Sequence, residues 1–521
     1  METNDFRFIK PGEIRTRYAP SPTGFLHIGG TRTAFFNYLF TKKYKGTFIL
    51  RIEDTDLERS NPRFEKDILE SLKWLGIRWD EGPIKVNSPL YLGDYGPYRQ
   101  SEKLSVYTRY LEKLLKDGNA YYCFCTKEEL ETQRQYQMSQ GLPPRYSGKC
   151  TNLSPRVVKK YLAEGKSYII RFRVPKKKIE FNDLIRGHLE FDTSLIGDIA
   201  IAKNLATPLY NFAVVVDDFE MKITHVVRGE DHIPNTPKQI LIQEALNFPR
   251  PNYVHLPLIL GPDKSKLSKR HGAVSILEYR KRGYLPETLI NFMAFLGWNP
   301  GTKREIFSLP SLIKEFSLEK IQKGGAIFDI KKLDWLNGFY IRQRSLDKLT
   351  ELCLPYLIKA GFIEKTSKAK MFKMKRTEKI ISFDYLKKII SIYQGRLKKL
   401  SEISELTNFF FRKKIEYDKS LLVWEEMSDK EVKKALDKSR KMLLKIEKKD
   451  WKRKNLEDYL FLEADKFAKK LKRLVGNRGY LLWPLRVALT GKEASASPFE
   501  IAEILGKEET IKRIKEAEKL L

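Results

Sequence analysis

The 521-residue sequence contains few cysteines and no long apolar segment. Only four cysteines occur, which argues against a disulfide-stabilised scaffold and is typical of a protein kept in a reducing compartment. No apolar run approaches the ~20 residues that a membrane-spanning helix needs, and residues 1–17 lack the apolar core of an export signal. We therefore expect a cytoplasmic protein that does not bind a membrane.

Basic residues are in large excess over acidic ones. Lys and Arg number 98 against 66 Asp and Glu, which gives a formal net charge of +32. A field of this sign concentrates polyanions near the surface, so nucleic acid is the natural partner. Solvated surface charge without a nucleic-acid role is the alternative. The length indicates two to four domains.

A first short motif contains His27, Gly29 and Gly30. It stands between an apolar stretch and a segment whose apolar residues have helical spacing, so the glycines lie where a strand turns into a helix. At such a junction a phosphate can approach backbone amides and the positive helix end, while His27 donates to it. The motif therefore predicts nucleotide binding, and a tight turn with a packed histidine is the alternative.

A second motif places Lys266 and Lys269 on either side of Ser268, in a loop that follows Gly261 and Pro262. Two mobile cations suit a polyphosphate, whereas a charge run alone is usually a solvated face. Both motifs, in this order and about 240 residues apart, resemble the paired signatures of the class I aminoacyl-tRNA synthetases.

Further segments resemble the bacterial-type glutamyl-tRNA synthetases and their glutaminyl relatives. They are residues 17–24, 51–56, 96–101, 210–218, 224–232, 335–338 and 484–491. Gly30, where most class I enzymes carry a second histidine, fits the glutamyl branch. The resemblance covers nearly the whole chain and implies a multidomain α/β fold. A Rossmann-type catalytic domain with an inserted α+β domain would precede a helical stem-contact domain and an all-α anticodon-binding domain.

The domain boundaries expected from this resemblance and from the hydrophobic pattern divide the chain into five segments. They are the first Rossmann half at 13–94, the inserted connective domain that binds the acceptor end at 95–206, the second Rossmann half at 207–249, the stem-contact domain with the lysine motif at 250–345, and the helical anticodon-binding domain at 346–521.

Local patterns add predictions within these segments. The apolar run at 47–50 predicts a strand, and residues 199–201 with 210–216 predict a return to the main sheet. Beyond 346 the spacing is helical and places Cys353 in a core stripe. Pro498 after Ser497 predicts a helix start. We interpret the lysine-rich residues 365–379 as a surface insertion that either contacts RNA or is merely solvated.

The implied reaction has two steps. L-Glutamate attacks the α-phosphorus of ATP to release pyrophosphate, and the glutamyl-adenylate then acylates the 3′-terminal ribose of tRNA-Glu. No covalent enzyme nucleophile is needed, so catalysis comes from positioning and charge neutralisation. The expected catalytic residues are His27, Lys266 and Lys269. Mg²⁺ is expected because pyrophosphate leaves, although no ligand for it is evident. The implied ATP site consists of Pro20, His27, Gly29, Gly30, Asp231, Lys266, Ser268, Lys269 and Arg270.

The implied glutamate pocket uses both charge types. Arg17 would pair with the side-chain carboxylate, Arg228 with the α-carboxylate, and Glu53 with the ammonium group. The planar fork of arginine grips a carboxylate through two hydrogen bonds, although a surface ion pair is the alternative role of each arginine. The remaining residues of the implied pocket are Ala19, Ser21 and Tyr210.

Cys123, Cys125 and Cys150 resemble a zinc site found in some glutamyl enzymes. Many of those enzymes carry a histidine two residues after the third cysteine, whereas Asn152 occupies that position here. Tetrahedral zinc takes four donors, and the nearest alternative is Tyr146. The residues therefore indicate either one structural Zn²⁺ or a lost site.

The C-terminal segment bears on the choice of tRNA. Arg396 falls where some relatives read the third anticodon base, which would favour tRNA-Glu over tRNA-Gln. A non-discriminating enzyme that also charges tRNA-Gln is one alternative, and a glutaminyl-tRNA synthetase, with a β-rich anticodon region, is another. The short paralogue that glutamylates a modified tRNA base lacks the anticodon domain, so the residues of this chain beyond 346 argue against that alternative. A noncatalytic RNA-binding protein is the last alternative, but it would not need His27, Lys269, Arg17 and Arg228 together. We expect a monomer.

Overall fold

The computed structural model describes residues 12–268, 274–470 and 477–521. Its backbone divides into two compact units. The first contains the chain up to Arg280 together with Pro286–Leu333, and the second contains Lys281–Leu285 and Asp334–Leu521. Within the described ranges, no helix combines the length and apolar composition that crossing a bilayer requires.

The first unit mixes strands and helices. Its strands are β1 (Arg15–Tyr18), β2 (Thr47–Leu50), β3 (Gly82–Pro83), β4 (Tyr91–Leu92), β5 (Ala120–Cys123), β6 (Ile169–Phe172), β7 (Lys178–Asp183), β8 (Gly187–Asp192), β9 (Ile199–Asn204), β10 (Thr207–Pro208), β11 (His225–Gly229), β12 (Asn252–Leu256), β13 (Ile259–Leu260) and β14 (Ala326–Ile327). Its helices are α1 (Ile28–Lys43), α2 (Pro62–Trp74), α3 (Leu104–Lys116), α4 (Lys127–Ser139), α5 (Pro155–Ala163), α6 (Tyr210–Glu220), α7 (Thr236–Leu246), α8 (Ile276–Lys281), α9 (Pro286–Ala294), α10 (Leu309–Glu315) and the start of α11 (Ile330–Arg342).

A six-stranded sheet in the order β2-β1-β11-β12-β7-β8 organises this unit. Its first five strands run parallel, and β8 pairs antiparallel with β7. The chain leaves β1 towards β2 on one side, whereas β11 leads to β12 on the other, so the strand order reverses between β1 and β11. Ligands of open α/β sheets bind outside the carboxyl ends of the strands at such a point. The predicted Rossmann-type sheet, including the strand at 47–50, is confirmed.

The predicted return to the main sheet at 199–201 and 210–216 is wrong. Residues 199–204 form β9 of a separate antiparallel sheet in the order β10-β9-β6-β5, and residues 210–220 form helix α6. Phe212 to Asp218 are all buried in α6, and an apolar run buried on every side cannot be assigned to helix or strand by periodicity. The chain rejoins the main sheet with the β7–β8 hairpin, inside the segment predicted as the insertion, and then with β11.

The second unit is mostly helical. Its elements are the rest of α11, α12 (Leu346–Lys359), β15 (Ile363–Lys365), β16 (Met371–Met374), β17 (Ile380–Ser382), α13 (Phe383–Ser391), α14 (Glu402–Thr407), α15 (Asp429–Lys445), α16 (Arg453–Lys470), α17 (Gly479–Thr490), α18 (Pro498–Leu505) and α19 (Lys507–Glu518). Cys353 is fully buried in the apolar core of this unit, as predicted.

Local signals also fixed helix boundaries in the second unit. Helix α18 begins at Pro498 because a capping box closes its first turn. The Ser497 side chain accepts from the amide of Glu500, and the Glu500 side chain accepts from the amide of Ser497. The lysine-rich segment differs from expectation, since β15, β16 and β17 form an antiparallel sheet there. Phe372 and Met374 point into the core while intervening residues are more exposed, and this short period-two pattern was hidden among the lysines.

Candidate active site

A cleft of about 1140 Å³ opens at the carboxyl ends of β1 and β11. Its walls come from the loop after β1, the start of α1, the end of β11 and the loop after β13. The predicted site residues that the structure brings together in this cleft are Arg17, Ala19, Pro20, Ser21, His27, Gly29, Gly30, Glu53, Tyr210, Arg228, Asp231, Lys266 and Ser268. Lys269 and Arg270 lie outside the described residues.

His27 caps the first turn of α1. Its Nδ1 accepts from the amides of Gly29 at 3.1 Å and Gly30 at 3.3 Å, so in the neutral ring the proton resides on Nε2, which is a donor. Desolvation in the cleft and then the charge of Lys266 lower the pKa of His27. The two amides that we expected to meet a phosphate are therefore occupied by His27, and the imidazole is left as a neutral donor at the helix start.

Gly30 packs against a buried tyrosine. A Cβ atom built on Gly30 would stand 2.7 Å from Oη of Tyr18 and 3.3 Å from Cδ1 of Leu26. Tyr18 is buried at the end of β1, so it has little room to retreat. The absence of a side chain at residue 30, noted from the sequence, thus has a steric cause in this fold.

Lys266 and Asp231 form an ion pair in the cleft. Lys266 Nζ lies 3.2 Å from Oδ2 of Asp231, and both side chains are substantially exposed. Burial alone would raise the pKa of the Asp231 carboxyl, but the neighbouring His232 and Lys266 lower it. This ion pair thus lies close enough to His27 for Lys266 to contribute to lowering the His27 pKa.

Arg17 also lines the cleft and already has a carboxylate partner. Its Nε lies 2.9 Å from Oδ1 and its Nη2 lies 3.2 Å from Oδ2 of Asp218. Among the described residues, no hydrogen bond engages Nη1 of Arg17. This cation is thus held in place by Asp218, and the free nitrogen is the part of the guanidinium left for a ligand.

Behind Arg17 lies a buried charge network centred on Arg51. This fully buried guanidinium contacts Asp218 at 2.7 Å, Glu53 at 3.0 Å and Asp217 at 3.7 Å. Lys103 Nζ is 2.8 Å from the second oxygen of Asp217. Burial raises the pKa of Glu53, although the charges of Arg51 and Arg17 oppose the shift. Glu53 thus lies in the cleft wall with its side chain oriented by Arg51.

Short contacts tie the remaining pocket residues to this network. Ser21 Oγ donates to the Glu53 carbonyl at 2.6 Å, and the Glu53 amide donates to the Pro20 carbonyl at 3.0 Å. The hydroxyl of Tyr210 lies 3.1 Å from Nδ1 of His232. The first two bonds join the loop after β1 to the segment after β2, and the third joins the start of α6 to the segment after β11.

Arg228 differs from Arg17 because its partners are neutral. Nε donates to Nε2 of His255 at 3.2 Å, Nη1 to Oε1 of Gln239 at 2.8 Å, and Nη2 to Oγ1 of Thr236 at 2.8 Å. Across the described part of the chain, no carboxylate lies within ion-pair distance of Arg228. Burial lowers its pKa, which reflects the cost of holding this charge without a counter-ion.

Sequence reasoning missed several residues that build this site. Asp218 and His255 are the most important, and Arg32 also lines the cleft and donates to the carbonyls of Leu296 and Pro257. One signal was available, since two acidic residues ending the apolar run of α6 are unusual inside a core. Nothing local distinguishes His255, because its partners come from distant segments.

The three predicted zinc-binding cysteines are brought together. Their sulfur atoms lie within 4.8 Å of one another, with Cys125 Sγ 3.7 Å from Cys150 Sγ. The hydroxyl of Tyr146 is 3.4 Å from Cys123 Sγ and 3.6 Å from Cys125 Sγ. A tetrahedral site with Zn–S bonds of about 2.3 Å has sulfur–sulfur edges of about 3.8 Å. The donor set of three sulfurs and one oxygen therefore fits a zinc ion.

Arg396 is exposed in the second unit. Its Nη1 donates to the carbonyl of Ser495. Burial lowers the pKa of Arg486, and the charge of Arg396 lowers it further. The effect of Arg396 indicates that the two guanidinium groups lie near each other. The exposed Arg396 and the half-buried Arg486 thus bring positive charge together at this position, which is chemically suited to a nucleic-acid backbone or base.

Comparison with known families agrees with this geometry. The family described as "tRNA synthetases class I (E and Q), catalytic domain" matches residues 13–335. The family described as "Anticodon binding domain" matches residues 348–518. Together the two matches account for most of the chain.

Similar proteins extend along the full length. A protein named glutamate–tRNA ligase 1 from Caldicellulosiruptor saccharolyticus is 48% identical over 510 residues, which is 96% of this chain and 98% of that protein. A glutamate–tRNA ligase from Carboxydothermus hydrogenoformans is 47% identical, over 96% of this chain and 99% of its own. A solved glutamate tRNA ligase from Elizabethkingia meningosepticum, in complex with its amino acid, aligns with a TM-score of 0.81 at 34% identity, over 97% of this chain and 99% of that one.

Proposed function

We infer that this chain, which belongs to the class I tRNA synthetases for glutamate and glutamine, is a glutamate–tRNA ligase that activates L-glutamate with ATP and transfers it to tRNA-Glu. One observation carries the assignment. A single cleft at the strand-order reversal joins a histidine and a lysine suited to phosphates with two arginines and a glutamate suited to an amino acid.

We assign the end of the cleft near α1 to ATP. The neutral Nε2–H of His27 would donate to the nucleotide phosphates, and Lys266 would neutralise charge as pyrophosphate leaves, together with Lys269. Pro20, Gly29, Gly30, Asp231, Ser268 and Arg270 are the other residues of the proposed site. Mg²⁺ is bound mainly by substrate phosphates and water, and Asp231 is a suitable carboxylate at this end. When bound, the ion would neutralise phosphate charge.

We assign the opposite end to glutamate. Nη1 of Arg17 would meet the side-chain carboxylate, Arg228 the α-carboxylate and Glu53 the ammonium group, with Ala19, Ser21 and Tyr210 closing the pocket. Glutamine has nearly the same size, so charge must discriminate. Replacing the carboxylate by an amide leaves a buried arginine short of its counter-charge, which costs on the order of 2–5 kcal/mol. That is discrimination of roughly 30-fold to several thousandfold.

The decisive experiment is tRNA-dependent ATP–pyrophosphate exchange with glutamate or glutamine, followed by charging of tRNA-Glu and tRNA-Gln. We expect exchange with glutamate and charging of tRNA-Glu. Equal activation of glutamate and glutamine would contradict the proposed pocket. Exclusive use of glutamine would indicate a glutaminyl enzyme instead.

Lys269→Ala tests the phosphate assignment. Loss of a preorganised donor of this kind costs roughly 10²- to 10³-fold in rate, so exchange should slow by at least the lower factor. Lys264→Ala is the matched control, because Lys264 is an exposed lysine in the same loop that the cleft does not include. A Lys269 variant with near-normal exchange would remove this residue from the mechanism.

We also propose that Cys123, Cys125, Cys150 and Tyr146 hold one structural Zn²⁺. The support is the clustering of the donor atoms, because the three sulfur atoms lie within 4.8 Å of one another and the Tyr146 hydroxyl lies within 3.6 Å of two of them. A bound ion would fix the start of α4 and the loop around Tyr146 to the end of β5. Elemental analysis of native and metal-stripped protein measures it directly.

The anticodon assignment of Arg396 rests on its position in the second unit and on the neighbouring charge of Arg486. We expect Arg396→Gln to reduce the preference for tRNA-Glu over tRNA-Gln while leaving glutamate activation unchanged. Charging of the two tRNAs compares them directly. We further propose that the protein acts as a monomer in the cytoplasm, where ATP and tRNA are found, and light scattering measures its mass.

A further inference from the structure

A buried histidine stands directly beside Arg228 on the next strand of the sheet. His255 of β12 is the Cα partner of Arg228 of β11 in their parallel ladder, and its side chain is completely buried. It does not line the cleft, so it has no contact with a substrate there. Its contacts run instead to Arg228, Thr236 and Asp183.

Asp183 constrains the protonation of this histidine. One carboxylate oxygen accepts from the amides of Ile185 at 3.0 Å and Arg186 at 2.8 Å. The other oxygen accepts from the amide of His255 at 3.0 Å and lies 2.7 Å from its Nδ1. Burial alone would raise the pKa of Asp183, but the hydrogen bonds from His255 and from the backbone amides lower it. Both oxygens therefore belong to an ionised carboxylate that can only accept, and this makes Nδ1–H the donor in the fourth bond.

A neutral imidazole with its proton on Nδ1 has an acceptor at Nε2. That acceptor lies 3.2 Å from Nε of Arg228, which can only donate. We propose that His255, fixed in one tautomer by Asp183, is a positioning residue that orients Arg228 for the carboxylate of glutamate. The inference rests on the proposed function, since it takes Arg228 to be a substrate-binding residue.

The geometry of Arg228 explains why its orientation matters. Guanidinium has five N–H donors in a rigid plane, and three of its donors are used by His255, Gln239 and Thr236. Two N–H groups, one on each Nη, remain for a ligand. Rotation of the plane would misalign both at once. Burial lowers the pKa of His255, against the opposing effect of Asp183, which keeps the ring neutral around pH 7.

Two substitutions separate this role from simple core packing. In His255→Asn the side-chain amide can still donate to Asp183, but the shorter side chain places no acceptor next to Nε of Arg228. In His255→Gln the amide oxygen can replace Nε2 towards Arg228, while the Nδ1 donor to Asp183 is lost. We expect His255→Asn to raise KM for glutamate about tenfold, with kcat and KM for ATP changed less than threefold. We expect His255→Gln to restore a KM within threefold of wild type.

If His255 served only to satisfy Asp183 in the core, the order of the two variants would be reversed. His255→Asn, which keeps the hydrogen bond to Asp183, would then be milder than His255→Gln, which loses it. The inference is overturned if His255→Asn leaves KM for glutamate within twofold of wild type, or if His255→Gln raises it equally. His225→Asn is the matched control. His225 is buried on β11 and bonds Thr224 and Asn252 instead, so its loss should lower thermal stability without changing KM for glutamate.

A second measurement is independent of activity and of variant folding. In wild-type protein labelled with ¹⁵N-histidine, the NMR spectrum should show one imidazole ring that keeps the Nδ1–H tautomer between pH 6 and 8. The signal of this ring is assigned to His255 by its absence from the spectrum of His255→Gln, or by elimination among the six histidines. A ring at His255 protonated on Nε2 would overturn the inference even if glutamate is activated. Failure of wild type to activate glutamate, with the Nδ1–H tautomer present, would contradict the proposed function instead.

Discussion

The close approach of Gly30 to Tyr18 leads to a quantitative prediction. In Gly30→Ala the new Cβ would stand 2.7 Å from the tyrosine hydroxyl oxygen, whereas ordinary contact begins at 3.4 Å. The helix start or the tyrosine must therefore move by about 0.7 Å, the difference of these two distances. Overpacking of this kind costs about 1–3 kcal/mol. Replacing glycine by alanine in a helix stabilises by about 0.5–1 kcal/mol, so we expect a net destabilisation of up to about 2.5 kcal/mol, with about 1 kcal/mol as the central value.

Tyr18→Phe removes the atom responsible for this clash. The next ring atom, Cζ, lies 3.8 Å from the position that an alanine Cβ would take, which is an ordinary contact. In a double-mutant cycle, Gly30→Ala should therefore be much less destabilising in the Tyr18→Phe background, where only the 3.3 Å contact with Cδ1 of Leu26 remains tight, with a coupling of about 1–2 kcal/mol. Denaturant unfolding of the four proteins measures the stabilities, and pyrophosphate exchange reports whether His27 keeps its place.

Gly29→Ala is the internal control for the cycle. Its Cβ would contact Cε1 and Nδ1 of His27 at 3.2 Å and would not approach Tyr18, so Tyr18→Phe should not relieve its effect. If Gly30→Ala destabilises both backgrounds equally, the steric explanation for the glycine is wrong. The cause would then be the helix start itself.

Two further predictions concern the proposed zinc ligands and the buried charges. Tyr146→Phe should lower the zinc content after mild chelation, whereas Tyr136→Phe, at an exposed position, should not; equal zinc in both variants would exclude Tyr146 as a ligand. Asp218→Asn should cost about 3–5 kcal/mol of stability at pH 7, because Arg17 and Arg51 lose a buried counter-charge. Burial would raise the Asp218 pKa, but these arginines lower it, so its contribution is present at neutral pH and is lost as pH falls through the lowered folded-state pKa. Urea unfolding at pH 7 and at roughly pH 3 should show a smaller gap between wild type and variant in acid, and an unchanged gap would refute the ion-pair assignment.

Local sequence determined much of this protein. The capping serine and proline define where α18 begins, and the helical stripes define the core of the second unit, because caps and periodicity depend on residues a few positions apart. His27 could be placed at a strand-to-helix junction for the same reason. The local structure around His27, at the proposed phosphate end of the cleft, was accordingly predictable, apart from the way His27 occupies the amides of Gly29 and Gly30.

Only the tertiary structure decided how the proposed glutamate pocket is built. Arg17 and Asp218 are 201 positions apart, and His255 and Asp183 are 72 apart. The apolar run of α6 could have been a strand, and only packing on every side made it the helix that delivers Asp218. Buried charges must find partners wherever the fold brings them, so no local pattern predicts which carboxylate holds Arg17 or which histidine orients Arg228.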